Sequence, residues 1–486
     1  MKTLTLYNNG RSVAFGDIPQ TTDFQEFADS VRAMMANENA HCVAYFGYPQ
    51  GDALQMIACL ANDSKATIEV FSYLLNGKSC PSLQVVAMER FEREIAENYG
   101  IVFEGHRWPK PVRTAPDDYP FYRADDEELH EVGVGPIHAG VIEPGHFRFT
   151  CEGEKILNLE IMLGFQHRGV ERLMLEKPML SQKAMLAESV AGDTAVGHGI
   201  AFARTYEALC DCQADARVEV ERMIASELER IAIHTGDLSA LCGDVAYQLG
   251  NAVYGRLRTP IINFMQKWCG NRLGKTMVRP FEAPYDLTPE LIADLHATLN
   301  AYEKDFTQMS DKIKRCPSVL ARLERTGTVT REQALEIGAV GMAARASGLA
   351  RDIRCTHPYL KYDALQPVVK KHGDVYSRTQ VRMEEIYASL TMIRQWIDNL
   401  PVANASKAAT PQLQAERFAI SLVEGWRGEI CHVAITDSRN QLAFYKIKDP
   451  SFHNWTALEL AVRDNEISDF PICNKSFNLS YCGHDL

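Results

Sequence analysis

The sequence predicts an α+β protein in two parts: a small N-terminal α+β domain with a linker over residues 1–122, and a mainly α-helical domain with small antiparallel β elements over residues 123–486. Three observations predict this organisation. Short apolar runs fill the first hundred residues, a proline-rich acidic segment follows them, and the next 200 residues are mostly helical in period. The chain of 486 residues is long enough for more than one hydrophobic core.

The N-terminal domain is predicted from four apolar runs, Cys42–Phe46, Gln55–Leu60, Ile68–Leu75 and Leu83–Ala87. Runs of this length that alternate with polar helical stretches indicate a compact α+β unit. Prolines and acidic residues then break regular structure between residues 106 and 126, so we place the domain boundary near residue 122.

The second domain is predicted from helical spacing of its apolar residues. Spacings of three, four and seven predict one or two buried amphipathic helices over Arg217–Leu249, and further helices over Leu287–Ile313 and Val381–Ile397. The polar, alanine-rich stretch 401–414 is predicted to be a loop. Alternation over Phe418–Lys446 predicts a small antiparallel sheet.

Composition excludes several functions. There are 51 Lys and Arg against 63 Asp and Glu, a net charge of −12, which argues against a nucleic-acid partner. The sequence contains no apolar run of about 18 residues, the length needed to cross a bilayer, and no secretory signal is expected. The 13 cysteines stand singly except for Cys210 and Cys212, as in a protein of a reducing compartment.

Portable catalytic motifs, including paired C-x-x-C, are missing from the sequence, which leaves isolated polar residues as candidates. His138 and Glu143 fall in a Gly/Pro-rich hairpin or loop, Gly135–Phe149, and His234 and Asp244 fall on or near the apolar side of a predicted helix. The loop residues fit a structural role in a turn, and the helix residues fit the role of core polar groups with satisfied hydrogen bonds. The alternative is that these residues take part in a proton relay. Cys473 and Cys482 are predicted to pack rather than to bind metal.

Several ordered segments together resemble the large subunit of membrane-bound nickel-iron hydrogenases of the formate hydrogenlyase and hydrogenase-4 type, and its relative, the quinone-site large subunit of respiratory complex I. The matching segments are Gly135–His138, Glu143–Pro144, Gly164–Glu171, Glu227–His234, Gly270–Arg272, Ala344–Arg354, Pro358–Tyr359, Gly373–Tyr376, Glu424–Glu429 and Pro450–Phe452. Residues 83–107 also resemble the end of the small companion subunit of complex I, here fused at the N-terminus.

The resemblance places the four thiolate ligands of a nickel-iron centre at Ala191, Thr194, Ser480 and Gly483, with Cys482 one residue out of register. None of these four side chains is a soft ligand, so we expect no nickel-iron centre and no metal bound by this chain. The quinone-headgroup Tyr of complex I falls on Gly192 and its partner His near Ile142, so both usual headgroup donors are missing and a quinone stays open as a ligand.

The resemblance also implies roles for six other residues. Glu143, His138 and Asp244 would form a proton relay, and His167, Arg168 and Arg272 would lie near an iron-sulfur cluster that belongs to the partner small subunit. The redox-linked His of the family falls on Gly274.

The function that the resemblance implies is that of a peripheral large subunit on the cytoplasmic face of the inner membrane. It would work with an iron-sulfur small subunit and integral membrane subunits, and electron transfer would be coupled to ion translocation. The alternatives are a divergent quinone reductase subunit and a non-catalytic structural subunit that couples a neighbouring reaction to ion pumping.

Overall fold

The computed structural model describes residues 2–124, 126, 128–138, 142–362, 365–402 and 411–486. The strands are β1 Leu4–Leu6, β2 Val13–Ala14, β3 Ala40–Gln50, β4 Ala53–Asn62, β5 Thr67–Leu75, β6 Ser79–Pro81, β7 Val102–Glu104, β8 His130–Val134, β9 His146–Glu152, β10 Lys155–Met162, β11 Arg417–Glu424, β12 Glu429–Thr436 and β13 Leu442–Lys448. The helices are α1 Phe24–Met35, α2 Glu89–Tyr99, α3 Val170–Glu176, α4 Leu180–Ala187, α5 Ala195–Leu209, α6 Ala216–Asp244, α7 Gln248–Cys269, α8 Pro289–Ile313, α9 Pro317–Leu323, α10 Arg331–Glu336, α11 Gly341–Ala346, α12 Ile353–Thr356, α13 Val375–Asp398, α14 Ser451–Ala461, α15 Phe470–Phe477 and α16 Tyr481–Asp485.

The N-terminal residues form an antiparallel sheet in the order β1-β5-β4-β3, with α1 and α2 packed on one face. Three of the four predicted apolar runs lie in β3, β4 and β5. The fourth, Leu83–Ala87, is not a strand and leads into α2. The expectation of helical stretches between the runs is wrong for β3 to β5, because connections of two and four residues leave room only for turns.

The other face of this sheet packs directly on the second domain. The Phe46 ring stacks on the Phe444 ring of β13, with ring centroids 4.8 Å apart. Strand β2 also pairs with β11 and so completes a sheet in the order β13-β12-β11-β2. The boundary near residue 122 stays a prediction; the described residues from 105 to 129 contain neither helix nor strand.

The predicted helices of the second domain are confirmed. The span Arg217–Leu249 covers nearly all of α6 and the start of α7, α8 covers all but the first two residues of Leu287–Ile313, and α13 contains Val381–Ile397. Capping residues define their ends: the Asp374 carboxylate accepts a hydrogen bond from the Ser377 amide at the start of α13, and Gly270 takes a φ of 77° at the end of α7. The predicted antiparallel sheet is β11 to β13. Residues 403–410 of the predicted loop lie outside the described residues.

The C-terminal segment α14 to α16 packs beneath the Gly/Pro-rich loop between β8 and β9. The ring centroids of Trp455 and Tyr481 are 4.9 Å apart, and the Phe147 ring on β9 lies 5.1 Å from that of Phe470. This aromatic packing brings the loop that carries Glu143 against the turn that carries Cys482, although the two are more than 300 residues apart in the chain.

Candidate functional site

The four positions where the resemblance puts thiolate ligands are buried. Ala191 and Thr194 are 0% exposed and Ser480 is 3% exposed. The Ser480 hydroxyl accepts the Gly483 amide at 2.9 Å and so caps α16. A Cβ atom at Gly483 would lie 2.8 Å from Cγ of Asp449, which leaves no room for a cysteine there. Neither the donor chemistry nor the space fits a nickel-iron centre.

A buried cation, Arg427, links the two chain segments that contain these positions. Its Nη1 and Nη2 each lie 2.6 Å from a carboxylate oxygen of Asp193, and Nη1 donates to the Thr194 hydroxyl at 3.1 Å. Its Nε donates to the main-chain oxygen of Asn478. The guanidinium is 4% exposed and Asp193 is 33% exposed. This bidentate pair is charge-assisted and holds residues 193–194 to the C-terminal segment.

A second cluster, which we call the thiol cluster, consists of His138, Glu143, Tyr481 and Cys482. Glu143 is a charged neighbour of the Cys482 thiol, whose sulfur lies 3.4 Å from the Ser480 hydroxyl, and the His138 ring centroid lies 6.2 Å from that of Tyr481. Burial raises the pKa of the Cys482 thiol to about 11 and that of the Tyr481 hydroxyl to about 12, so both keep their protons at neutral pH. Partial desolvation lowers the pKa of His138.

The chemistry open to the thiol cluster is proton transfer. It places a carboxylate next to a protonated thiol, and a neutral imidazole near a protonated phenol. The Nε2 atom of His138 is buried and has no hydrogen-bond partner among the described residues, whereas the buried Tyr481 hydroxyl has Asn474 as a polar neighbour. Such unsatisfied polar atoms are unusual in native proteins and mark a place where a bound molecule or water could complete the hydrogen bonding.

Asp244 is not brought into this cluster. It is exposed at the last residue of α6, with Lys475 as its charged neighbour, and among the described residues it makes no hydrogen bond or ion pair with His138 or Glu143. Its predicted position on the apolar side of the helix is wrong, because α6 ends there and the side chain reaches solvent. Partial desolvation raises its pKa, and the charge of Lys475 opposes this.

His234, by contrast, is buried as predicted. Its Nε2 lies 2.9 Å from the Glu385 carboxylate, inside a network of buried ion pairs that also contains Arg230 and Arg345. Burial lowers the pKa of His234, and Glu385 only partly opposes this. The hydrogen bond of Nε2 is the structural role that the sequence left open, while Nδ1 is buried without a hydrogen-bond partner among the described residues.

The residues expected to face an iron-sulfur partner lie on exposed loops. Arg168 donates to the main-chain oxygens of Ser189, Val190 and Cys482 at 2.6, 3.1 and 2.8 Å, and Nδ1 of His167 lies 2.8 Å from the main-chain oxygen of Asp485.

Arg272 is exposed in the turn after α7 and has no ion pair among the described residues. The same turn reaches the segment that Arg168 contacts, because the Glu188 carboxylate accepts the Thr276 amide at 2.8 Å. One short segment, residues 188–190, therefore joins both loops.

Sequence reasoning missed a buried carboxyl group beside Thr194. Glu229 on α6 accepts the Val196 and Gly197 amides at the start of α5, at 2.8 and 3.2 Å. Burial raises its pKa to about 8, against the opposing effect of these two hydrogen bonds. Glu229 follows Leu228 in a helical pattern, and its neighbours on α5 come from a segment more than 30 residues earlier, so no local signal could have found it.

A buried chain of polar rings is a second feature that the sequence does not reveal. The rings of His198 and His432 meet at 3.1 Å, His432 meets the Tyr445 hydroxyl at 2.8 Å, and His198 lies 3.0 Å from Asp449. Burial alone would raise the pKa of Asp449, but the hydrogen bond and charge of His198 lower it to about 2.

No group of three or more His, Cys, Asp or Glu suited to a metal ion occurs among the described residues. The Cys473 side chain is 0% exposed and belongs to the hydrophobic core, as packing predicts. In the same described part of the chain, no helix is both long and apolar enough to cross a membrane.

The structure is thus an α+β fold whose C-terminal helices α14 to α16 pack against a Gly/Pro-rich loop. The model of the family described as respiratory-chain NADH dehydrogenase, 49 Kd subunit, matches residues 250–417. The C/D subunit of NADH-quinone oxidoreductase from Bacteroides thetaiotaomicron is 30% identical over 399 residues, which cover 70% of this chain and 72% of that protein. The chain belongs to this complex I 49 kDa subunit family.

Hydrogenase subunits are similar over most of their length. Formate hydrogenlyase subunit 5 of Escherichia coli is 27% identical over 421 residues, covering 80% of this chain and 74% of that protein. The solved structure of an archaeal membrane-bound sulfane sulfur reductase contains a chain with the same fold: the TM-score is 0.69 at 21% identity, over 75% of this chain and all of that one. The resemblance to both branches is confirmed.

Proposed function

We propose that this chain is the peripheral large subunit of an energy-converting membrane oxidoreductase complex, that it passes electrons to or from an adjacent iron-sulfur small subunit, and that it couples this transfer to ion translocation without a nickel-iron centre. The carrying observation is the site itself. Arg427 and its ion pair with Asp193 hold together the two segments that the resemblance aligns with the metal-ligand segments of hydrogenases. The thiol of Cys482, in the second of these segments, keeps its proton at neutral pH.

The electron-transfer part of the proposal rests on the surface formed by His167, Arg168 and Arg272. Two exposed arginines on loops joined through residues 188–190 give this surface a positive charge on a chain whose net charge is −12. An iron-sulfur cluster with its thiolate ligands is anionic, so such a surface favours docking of a subunit that holds one. The small subunit would sit here, and integral membrane subunits would lie beneath the loop that carries Glu143.

The ion-coupling part rests on the thiol cluster and on Glu229. Glu143 is a charged neighbour of Cys482, and burial raises the pKa of Glu229 to about 8. A carboxyl group with a pKa near the ambient pH can take up and release a proton at little cost. We place Glu143 and His138 in the proton path. Asp244 stays a weaker member, because it lies at an exposed helix end.

A second candidate, a non-catalytic coupling subunit, is favoured by one observation: the Arg427 side chain contacts Thr194 and Asn478, in the two segments where the resemblance places thiolate ligands. A chain of this kind would transmit conformational change rather than reduce a substrate. A divergent quinone reductase, the other alternative, would instead bind a quinone through donors such as the buried Tyr481 hydroxyl.

The test is isolation of the native membrane complex through a tag on this chain, followed by assay with short-chain ubiquinone and menaquinone analogues. The proposal predicts that a small subunit with bound iron is purified together with the tagged chain, and that its iron-sulfur signal is reduced by the electron donor of the complex. Arg272→Glu should release that subunit, whereas Arg439→Glu, on the distant β12–β13 turn, should not. A complex that holds no iron-sulfur subunit would contradict the proposal. Quinone reduction that is lost in Tyr481→Phe would favour the reductase.

A further inference from the structure

A cavity of about 620 Å³ lies where the N-terminal domain meets the second domain. Its walls come from α2, the segment after β7, strand β10 and helix α14, and it shares no lining residue with the thiol cluster. A volume of this size suits a bound organic molecule rather than a few waters. The cavity is therefore a separate candidate site from the thiol cluster.

Three of the arginines that line the cavity have no carboxylate partner among the described residues. Arg93 donates to the main-chain oxygens of Lys110 and Pro111 at 2.6 and 2.8 Å, and Arg463 donates to the Asn158 side chain at 3.2 Å. Arg107 is exposed and has no hydrogen bond or ion pair within the described part of the chain. These cations are available to an anion, and the guanidinium group is suited to bidentate contact with phosphate.

The opposing charges in the cavity do not cancel these cations. Glu160 is paired with Lys110 at 2.6 Å, and Glu459 is 3.5 Å from the fourth arginine, Arg90. Glu89 is the one lining carboxylate with no ion pair among the described residues. Three unpaired cations thus face one unpaired anion, on a chain that is acidic as a whole.

The remaining walls provide aromatic surface and one unsatisfied polar atom. Trp108, Tyr119 and Tyr122 line the cavity, and the Lys110 ammonium lies 3.7 Å from the centroid of the Trp108 ring. His453, which also lines the cavity, is 4% exposed, and its Nε2 has no hydrogen-bond partner among the described residues. A buried ring nitrogen without a partner is costly unless a ligand or water supplies one. The cavity thus combines ring-stacking surface, one hydrogen-bonding position and unpaired guanidinium groups.

We propose that this cavity binds a nucleoside phosphate, with the base between the aromatic side chains and the edge of His453, and the phosphates at Arg107 and Arg463. The aromatic side chains of Trp108, Tyr119 and Tyr122 indicate a ligand with a flat ring, and the unpaired arginines indicate a ligand with phosphate groups. Because the walls come from both domains, the bound nucleotide stabilises the contact between them. The proposal is independent of the redox role assigned to the thiol cluster.

The test is calorimetric titration of the purified full chain with ADP, GDP and UDP, and with adenosine and pyrophosphate as separate halves. We expect at least one nucleotide to bind once per chain, and each half to bind at least about tenfold more weakly, since ring and anion contacts are both needed. Failure of all three nucleotides to bind would overturn the proposal. So would pyrophosphate binding as tight as that of the best nucleotide, which would indicate a simple anion site.

Variants separate this cavity from other anion-binding surfaces. Arg107→Ala combined with Arg463→Ala should weaken nucleotide binding at least about tenfold, whereas Arg439→Ala should leave it unchanged. His453→Phe keeps a ring of similar size and should weaken the nucleotide but not pyrophosphate. If the double variant does not fold, Arg107→Ala alone carries the test, because that side chain has no partner among the described residues. Wild-type affinity in the cavity variants would refute the assignment.

Discussion

The ion pair between Arg427 and Asp193 offers the sharpest test of how the two segments aligned with the thiolate-ligand segments are held together. In Arg427→Met the side chain keeps much of its length but loses its charge and its hydrogen bonds to Asp193, Thr194 and Asn478. Removing one partner of a buried pair costs about 3–5 kcal/mol, because the other charge is left unpaired. Asp193 is 33% exposed and can regain water, so we expect the lower end, about 3 kcal/mol.

The assay is urea unfolding of the purified full chain, with the change in the transition midpoint converted through the measured m-value. Asp193→Asn completes a double-mutant cycle, in which we expect a coupling energy of about 2 kcal/mol. The matched control is Arg172→Met, which breaks the exposed pair with Glu176, whose side chains are 69% and 50% exposed. That change should cost under about 0.5 kcal/mol.

The reasoning fails if Arg427→Met costs no more than Arg172→Met, or if the cycle shows no coupling between Arg427 and Asp193. Either result would mean that the ion pair does not hold the two segments together. Arg427→Lys, which keeps the charge but not the two-pronged geometry, should fall between the wild type and Arg427→Met.

Three other changes test the remaining site residues. Glu143→Gln should leave assembly intact and reduce proton-coupled turnover about a hundredfold, since the amide cannot change protonation state; near-normal turnover, with stability lost only in Glu143→Ala, would mean that Glu143 merely supports the loop. Arg168→Glu should lower electron transfer or weaken assembly, because an anion replaces a cation next to an anionic cluster, and normal rates in an intact complex would reassign Arg168 to an ordinary surface role. Glu229 has a pKa of about 8 in the folded chain, above its ordinary value, so its contribution to stability is present below pH 4.5 and is lost as the pH rises toward 8. Unfolding measured at pH 5 and pH 8 should therefore show Glu229→Gln gaining about 4 kcal/mol relative to wild type at the higher pH, and parallel curves would contradict the raised pKa.

Local patterns in the sequence were enough for the long helices α6, α8 and α13 of the second domain. The apolar spacing over Arg217–Leu249 is a property of neighbouring residues, and the capping residues Asp374 and Gly270 lie at the helix ends themselves. The turns between β3, β4 and β5 were misread, since polar residues in short connections resemble the polar face of a helix when only composition is considered.

The candidate site was predicted only in part, because its contacts join distant segments. The match of Gly135–His138 and Glu143 to a known family identified the loop, but nothing in the sequence shows that Cys482 lies beside Glu143. The paired residues Arg427 and Asp193 are more than 200 residues apart. Asp244 was misplaced because the periodicity of α6 gave no sign of where the helix ends.

The central claim is that this chain works as a large subunit without a nickel-iron centre, and metal analysis of the intact purified complex tests it most directly. Nickel and iron are measured per chain by mass spectrometry, together with reduction of the iron-sulfur signal by the electron donor. The account predicts iron in the partner subunit, reduction of its cluster, and no stoichiometric nickel, because the ligand positions are Ala191, Thr194, Ser480 and Gly483. About one nickel per chain, bound near Thr194 and Ser480, would contradict it.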